Sequence, residues 1–202
     1  MARRSGTRDL ILDRATDLFG RWGVEAVSLD QIAQEVGVAK QTLLYWFPSK
    51  DDLVENVMAA TATELAVAVE AAIRAAPDDP LDRIEAVVKA VFRPAVRRPA
   101  LLGLIRELSR LPADTSDRVT RHLRPLADRA IDWMSHEMKA GRLRPGDPSI
   151  VIALAYATVT GIATEPEALR VVGWNADTAG LRRLRSELIA FLRASLAPES
   201  SA

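Results

Sequence analysis

Apolar residues recur every three or four positions in almost every segment of this chain, and this spacing constrains its fold more than any other feature. Residues at that spacing share one face of an α-helix, whereas a half-buried strand alternates apolar and polar residues. No window of four or more residues alternates cleanly, so the sequence predicts an all-α protein. The predicted helices cover residues 7–22, with Thr7 as cap, and residues 28–36, 40–47, 49–76, 80–93, 97–110, 115–140, 148–163, 165–171 and 177–196.

The composition fits one or two folded domains and excludes several classes of protein. The chain has 202 residues, 49% of them hydrophobic, and its 27 basic and 27 acidic side chains cancel, which excludes a disordered tail and a histone-like cation. Because cysteine is absent, a disulfide framework and a thiolate zinc site are excluded as well. No apolar leader is visible, and the longest apolar run, 150–163, is shorter than the roughly 20 residues that span a bilayer. We therefore expect a cytoplasmic protein with no membrane partner.

Residues 28–47 have the pattern of a helix-turn-helix. Ser28 and Gln31 have the spacing of a capping box, which opens a short helix. Gly37 stands where a left-handed residue ends that helix, and a second short helix follows until Pro48. In a helix-turn-helix the second helix lies in the major groove of DNA. The pattern therefore favours a DNA-binding domain.

Helical periodicity separates the two faces of the second helix. At about 100° per residue, Leu43 and Phe47 point the same way, and we expect them to face a core with Ile32, Val36 and Leu18. The other side chains lie opposite or on the flanks: Lys40, Gln41, Thr42, Leu44, Tyr45 and Trp46. No acidic residue occurs in 36–50 or in 1–8, where a phosphate backbone would be approached. Amide, hydroxyl, phenol and lysine groups suit base edges and phosphates.

The alternative is a plain helical corner whose aromatic residues fill a core. Three consecutive aromatic residues, Tyr45, Trp46 and Phe47, argue against it. One face of a helix cannot bury three successive side chains, so at least one must point outward.

The stretch 7–58 resembles the N-terminal DNA-binding domain of the TetR family of bacterial transcriptional regulators. The matching residues are Ile11, Leu12, Leu18, Phe19, Gly23, Ile32, Ala33, Gly37, Val38, Thr42, Leu43, Phe47, Ser49, Lys50 and Leu53. The resemblance implies a helix-turn-helix domain over 5–65 and a helical effector-binding and dimerisation domain over 66–202. It also implies a homodimer that binds a palindromic operator in double-stranded DNA as a repressor and is released by a small organic effector.

By this resemblance, the DNA-binding residues are Ser28, Lys40, Gln41, Thr42, Tyr45, Trp46 and Lys50, with Lys50 on a phosphate. Two positions depart from the family pattern. Leu44 stands where tyrosine is usual, which removes one phosphate contact that Tyr45 is placed to replace. Ala39 stands where a capping serine is frequent, at a local cost of about 1 kcal/mol. Arg3, Arg4 and Arg8 form either an arm that contacts DNA or an unstructured terminus.

The apolar run 150–163 and the last helix predict a dimer interface. The run is apolar on every side and needs cover on more than one face, and the last helix adds an apolar stripe. We expect both helices to pair with their symmetry mates in a four-helix bundle, whereas the alternative is a single monomeric core. The expected interface residues are Val151, Leu154, Val159, Leu181, Leu184, Leu188, Phe191 and Leu192.

Candidate effector contacts lie in the helices between residues 80 and 163. They are Phe92, Leu104, Ile105, Leu108, Trp133, Met134, Met138 and Tyr156, although side chains of these types are more often ordinary core. Arg106, Glu107, His122, His136 and Tyr156 are the polar side chains available to orient a ligand.

An enzyme is not expected. The sequence lacks a phosphate-binding glycine loop, a nucleophile elbow and a metal cluster, and no cofactor is predicted. His122 and His136 have no second ligand at metal-binding spacing. The remaining alternative is a helical interaction module that keeps the fold without binding an operator.

Overall fold

The structure is a computed structural model that describes residues 6–98, 100–108, 110, 113–164, 166–175 and 177–198. Within these ranges the regular elements are helices, and no strand occurs. This confirms the all-α prediction. The helices are α1 Thr7–Trp22, α2 Leu29–Val36, α3 Lys40–Trp46, α4 Lys50–Ala75, α5 Pro80–Arg97, α6 Ala100–Leu108, α7 Ala113–Lys139, α8 Pro148–Thr164, α9 Pro166–Val171 and α10 Thr178–Leu196.

Several predicted helix boundaries were wrong. The cap of α1 is Gly6 rather than Thr7, which is the first helical residue, and no side chain caps that end. The fifth helix does not end at residue 93, because α5 continues through Pro94 to Arg97. Proline removes one backbone donor, but it does not remove the apolar face that packs the helix.

The chain divides into two compact units. Unit 1 comprises Met1–Thr63 and Arg98–His122, and unit 2 comprises Glu64–Arg97 and Leu123–Ala202. The first division falls close to the boundary expected after residue 65. The sequence, however, assigned residues 98–122 to the second domain, whereas α6 packs along α1 inside unit 1.

The core of unit 1 draws side chains from α1, α2, α3, α4 and α6. Leu43 and Phe47 are fully buried in it, as their periodicity predicted, and Leu104 joins them from α6. The other large members are Ile11, Phe19, Ile32, Leu53, Val54 and Val57. Trp22 continues the apolar stripe of α1 in sequence but is 69% exposed. It is the last residue of α1, so no further helical turn follows to pack beside it.

Backbone contact between α1 and α6 depends on two glycines. A Cβ atom at Gly103 would lie 1.8 Å from the carbonyl oxygen of Gly20, and one at Gly20 would lie 2.0 Å from that of Ala100. Only residues without a side chain permit this approach. The two glycines therefore fix α6 directly against the backbone of α1.

Charged side chains hold α6 to α1 on either side of this contact. The Arg98 guanidinium lies 2.6 Å from a carboxylate oxygen of Asp17 and 2.9 Å from one of Asp13. Its hydrogen bond holds the pKa of the Asp17 carboxyl below the usual range. At the other end, the buried Glu107 carboxylate accepts a hydrogen bond of 2.8 Å from the backbone N–H of Val24. Glu107 thus satisfies a buried backbone donor, and its availability to orient a ligand stays a prediction.

In unit 2, α10 packs against α5. Leu181, Leu188 and Leu192 are buried on the packed side of α10. Arg193 extends the contact through ion pairs with Asp82 and Glu85 of α5. Hydrogen bonds from Lys89 and Arg193 lower the pKa of the Glu85 carboxyl.

The turn after α7 is fixed by a buried carboxylate. Glu137 receives two hydrogen bonds from Arg142, at 2.5 and 2.7 Å. In the same turn Leu143 is fully buried, and the N–H of Arg144 donates to the carbonyl of Leu196 at 2.9 Å. These contacts join the turn to the end of α10.

Among the described residues, α4 is the one helix long and apolar enough to cross a membrane, judged by length and composition alone. Its first half contributes Leu53, Val54 and Val57 to the core of unit 1. Core helices of soluble proteins pass the same test, so this property does not by itself indicate a membrane span.

We predict that Gly103→Ala lowers the free energy of unfolding by about 1–3 kcal/mol, because the added methyl forces α6 away from α1. Gly146→Ala is the control, since its methyl meets only the Met138 side chain at 3.9 Å and should change stability by less than about 0.5 kcal/mol. Urea denaturation of both variants measures the difference. Equal stability of the two variants would contradict the close approach.

Candidate nucleic-acid interface

The geometry of α2 and the following turn confirms the predicted helix-turn-helix. The Ser28 hydroxyl accepts a hydrogen bond of 3.2 Å from the N–H of Gln31, whose side chain accepts one of 2.7 Å from the N–H of Ser28. Gly37 has a φ of 78°, in the left-handed region, and its N–H closes α2 on the carbonyl of Ala33 at 3.0 Å. Capping box and turn together set where α3 begins.

The rotation of α3 about its axis is set by its two buried anchors. With Leu43 and Phe47 inward, Tyr45 is 78% exposed and Trp46 is 42% exposed. Their rings meet edge to face, with centroids 5.2 Å apart. Gln41 is exposed, and Thr42 is half-buried. The prediction that at least one of the three consecutive aromatic side chains points outward is confirmed.

Lys40 is paired with an acidic residue of α2, a contact that the sequence alone does not reveal. Its ammonium lies 2.7 Å from the Asp30 carboxylate, and the two side chains are 46% and 65% exposed. The stretch 36–50 contains no acidic residue, yet the turn returns the start of α3 to the start of α2. The tight turn at Gly37 was the available signal, because it brings residues about ten positions apart together.

Lys50 begins α4 and has a neutral partner. Its ammonium lies 3.4 Å from the backbone carbonyl oxygen of Glu25, so the charge of Lys50 is not cancelled by this contact. Ser49 accepts a hydrogen bond of 3.0 Å from the N–H of Asp52 and thereby caps α4. The cap fixes the start of α4 and therefore the position of Lys50, its first residue.

Arg8 packs against other residues of unit 1 and is not part of a free N-terminal arm. Its guanidinium donates to the Asn56 side chain at 2.7 Å and lies over the ring of Phe47, 5.3 Å from the centroid. The contact joins the first turn of α1 to the end of α3 and to α4. This corrects the grouping of Arg8 with Arg3 and Arg4, which lie outside the described residues.

All of the predicted DNA-binding residues belong to unit 1: Ser28, Lys40, Gln41, Thr42, Tyr45, Trp46 and Lys50. Together they occupy the start of α2, the whole of α3 and the start of α4. Their side chains offer amide, hydroxyl, phenol, indole and ammonium groups. Such groups hydrogen-bond to base edges and phosphate oxygens.

The candidate effector residues are divided between the two units. Phe92, Met134 and Met138 are buried in unit 2, where Trp133 is half-buried and Tyr156 is exposed. Leu104 is instead part of the core of unit 1, and Ile105 and Leu108 belong to the same unit. The side chains of Leu108 and His122 lie outside the described residues, and His136 is exposed.

The described part of the chain holds no group of three or more metal-ligating side chains.

The predicted dimer residues also divide into buried and exposed sets. Leu181, Leu188 and Leu192 are buried within unit 2, and Val151, Val159 and Leu184 are half-buried. Leu154 and Phe191 are 57% and 59% exposed, as are the neighbouring Ile150 and Tyr156 to a similar extent. The apolar stripe of α10 therefore packs mostly within its own chain. The sequence did not show this, because periodicity alone does not distinguish an internal packing partner from a second subunit.

Comparison with known proteins gives consistent matches. Residues 11–57 match the model of the bacterial regulatory proteins of the tetR family. The HTH-type transcriptional regulator RutR of Escherichia coli is 29% identical over 158 residues, which are 76% of this chain and 72% of RutR.

Solved structures show the same fold. A protein from Saccharomonospora viridis, solved in complex with choline, superposes with a TM-score of 0.78 at 18% identity, covering 95% of this chain and 98% of that one. AibR in complex with isovaleryl coenzyme A and operator DNA gives a TM-score of 0.73 at 17% identity, covering 92% of this chain and 97% of AibR.

We predict that Ser28→Ala lowers the free energy of unfolding by about 1 kcal/mol, because α2 loses its cap. Ser28→Asp keeps a capping oxygen and retains stability, but it places a carboxylate where a DNA phosphate would approach, so DNA binding falls. Thermal unfolding and fluorescence anisotropy on duplex DNA measure the two effects. If Ser28→Asp binds DNA as tightly as the wild type, Ser28 acts as a cap alone.

Proposed function

Because this chain belongs to the TetR family of bacterial transcriptional regulators, we propose that it is a repressor that binds a palindromic operator as a homodimer and is released by a small organic effector. The observation that carries the proposal is the exposed polar and aromatic face of α3. That face is held in one orientation by the burial of Leu43 and Phe47. An interaction module without DNA binding is the competing function.

In the proposed complex α3 lies in the major groove and each outward side chain has a distinct role. Gln41, Thr42 and Tyr45 contact base edges, since amide, hydroxyl and phenol groups both donate and accept hydrogen bonds. Lys40 and Lys50 contact phosphates from the two ends of α3. Trp46 supports the ring of Tyr45 through their edge-to-face contact.

The homodimer is supported by apolar surface on α8 and α10. Ile150 and Leu154 are one helical turn apart on α8 and exposed, and Phe191 is an exposed aromatic residue on α10. A group of exposed apolar side chains such as that on α8 is typical of a protein–protein interface. We propose that a second copy of this chain covers this surface, because a two-fold dimer presents two α3 helices to the two halves of a palindrome.

The proposed effector binds in unit 2, among apolar side chains that include Phe92, Met134 and Met138. Two neighbours in fold were solved with choline and with isovaleryl coenzyme A, which supports a small organic ligand without identifying it. The effector can weaken operator binding only by its differential affinity for two arrangements of the dimer, typically about 1–3 kcal/mol. We propose α4 as the coupling element, since Lys50–Ala75 contributes residues to both units.

We predict that Thr42→Ala and Tyr45→Ala each weaken operator binding by about 5- to 150-fold, the loss of about 1–3 kcal/mol of contact energy. The operator is first obtained by selecting bound duplexes from a random pool. Affinity is then measured by anisotropy at fixed salt, and thermal unfolding confirms that the variants are folded.

Trp22→Ala is the matched control, because Trp22 is an exposed aromatic residue of unit 1 outside α3. It should bind the operator as tightly as the wild type. Recovery of no duplex from the pool favours the interaction module. Wild-type affinity of both α3 variants shows that this face does not read DNA.

We predict that the wild type sediments as a dimer at micromolar concentration and that Leu154→Glu and Phe191→Glu sediment as monomers. A carboxylate buried in the interface without a partner is strongly unfavourable. Val67→Glu is the control, since Val67 is an exposed apolar residue of α4, and this variant should remain a dimer. A monomeric wild type would overturn the proposed interface.

A further inference from the structure

We propose that Asp30 withholds the charge of Lys40 from DNA, so that the Lys40–Asp30 ion pair is a latch that opens when Lys40 contacts a phosphate. This inference rests on the proposed DNA-binding function and deepens it. It identifies Asp30 as a residue that sets affinity although it does not itself contact DNA.

The latch is closed in the free protein. The Lys40 ammonium and the Asp30 carboxylate are 2.7 Å apart, a charge-assisted hydrogen bond of ordinary length. Both side chains remain substantially exposed to water. Exposed pairs of this kind contribute little to folding stability, because water solvates the separated charges well. The pair can therefore open without disturbing the fold.

The position of the pair makes it relevant to DNA. Lys40 is the first residue of α3, and Asp30 is the second residue of α2. Two residues before Asp30, Ser28 occupies the end of α2 that we place next to a phosphate. A carboxylate at this point opposes the approach of the phosphate backbone as long as Lys40 does not screen it.

Lys50 lies on the same interface and, unlike Lys40, has a neutral partner. Among the residues that the structure describes, its ammonium contacts a backbone carbonyl oxygen and no carboxylate, which leaves its charge available. Lys40 instead exchanges one anionic partner for another when it binds DNA. The exchange releases a counterion from the DNA but exposes the Asp30 carboxylate, which attracts a cation from solution.

The salt dependence of binding therefore reports on the latch. Each lysine–phosphate contact on duplex DNA contributes about 0.9 to the slope of log affinity against log salt concentration. Asp30→Asn frees Lys40 from its partner, and the slope steepens by up to about 0.9 for each DNA-binding unit. At low salt, affinity rises by about three- to tenfold for both the selected operator and a random duplex.

The experiment compares the full-length wild type with Asp30→Asn, Lys40→Gln and the double variant. Glu35→Gln is the matched control, since Glu35 is an exposed acidic residue of the same helix. Anisotropy titrations on the operator and on a random duplex, between about 50 and 200 mM salt, give affinities and slopes. Thermal unfolding verifies that every variant is folded.

The latch predicts that Asp30→Asn raises affinity and steepens the slope in the wild-type background, and does so much less when Lys40 is already glutamine. Glu35→Gln changes neither quantity. An equal gain in both backgrounds means that Asp30 repels phosphates directly, which overturns the latch. No gain from Asp30→Asn while the wild type binds its operator also overturns it. Failure of the wild type to bind any duplex overturns the proposed function instead.

Discussion

Burial of Leu43 and Phe47 is the interaction on which the rest of the interface depends. These two side chains lie four positions apart, so burying both fixes the rotation of α3 about its own axis. Every outward residue of the helix then has a determined direction. Removing either anchor would cost about 2–5 kcal/mol, a large fraction of the stability of a small domain. The orientation of the exposed side of α3 is therefore as stable as the core of unit 1.

The sequence predicted the parts of the molecule in which local signals act on nearby residues. The capping box at Ser28, the left-handed Gly37 and the spacing of Leu43 and Phe47 each involve residues within one or two turns, and the structure has all of them. The exposed end of α1 at Trp22 and the passage of α5 through Pro94 depend on packing partners elsewhere in the chain. Periodicity identifies the apolar side of a helix, but it does not identify what covers that side.

The assignment of α6 to unit 1 illustrates the same limit over a longer distance. Nothing near residue 103 in the sequence shows that Gly103 meets Gly20, since the contact joins backbones more than eighty residues apart. Glu107 is similar, because its partner is the backbone N–H of Val24, which any residue except proline would supply. The sequence offered Glu107 as a polar side chain available to orient a ligand, but it did not show that the buried donor which Glu107 satisfies lies in the turn after α1.

Electrostatics shows why a count of charges along the chain is a poor measure of the field at the interface. Arg98, which lies just before α6, pairs with Asp13 and Asp17 of α1, so these two carboxylates contribute less negative charge to the field than the sequence count suggests. Asp30 of α2, by contrast, pairs with Lys40 and so reduces the positive charge at the start of α3, a helix that contains no acidic residue. Because the fold makes both pairings, the charge offered to DNA differs from the sequence count in both directions. Under the proposed DNA-binding function, the small number of cations on this face keeps affinity for an arbitrary duplex low, and discrimination between sequences falls to the uncharged side chains of α3.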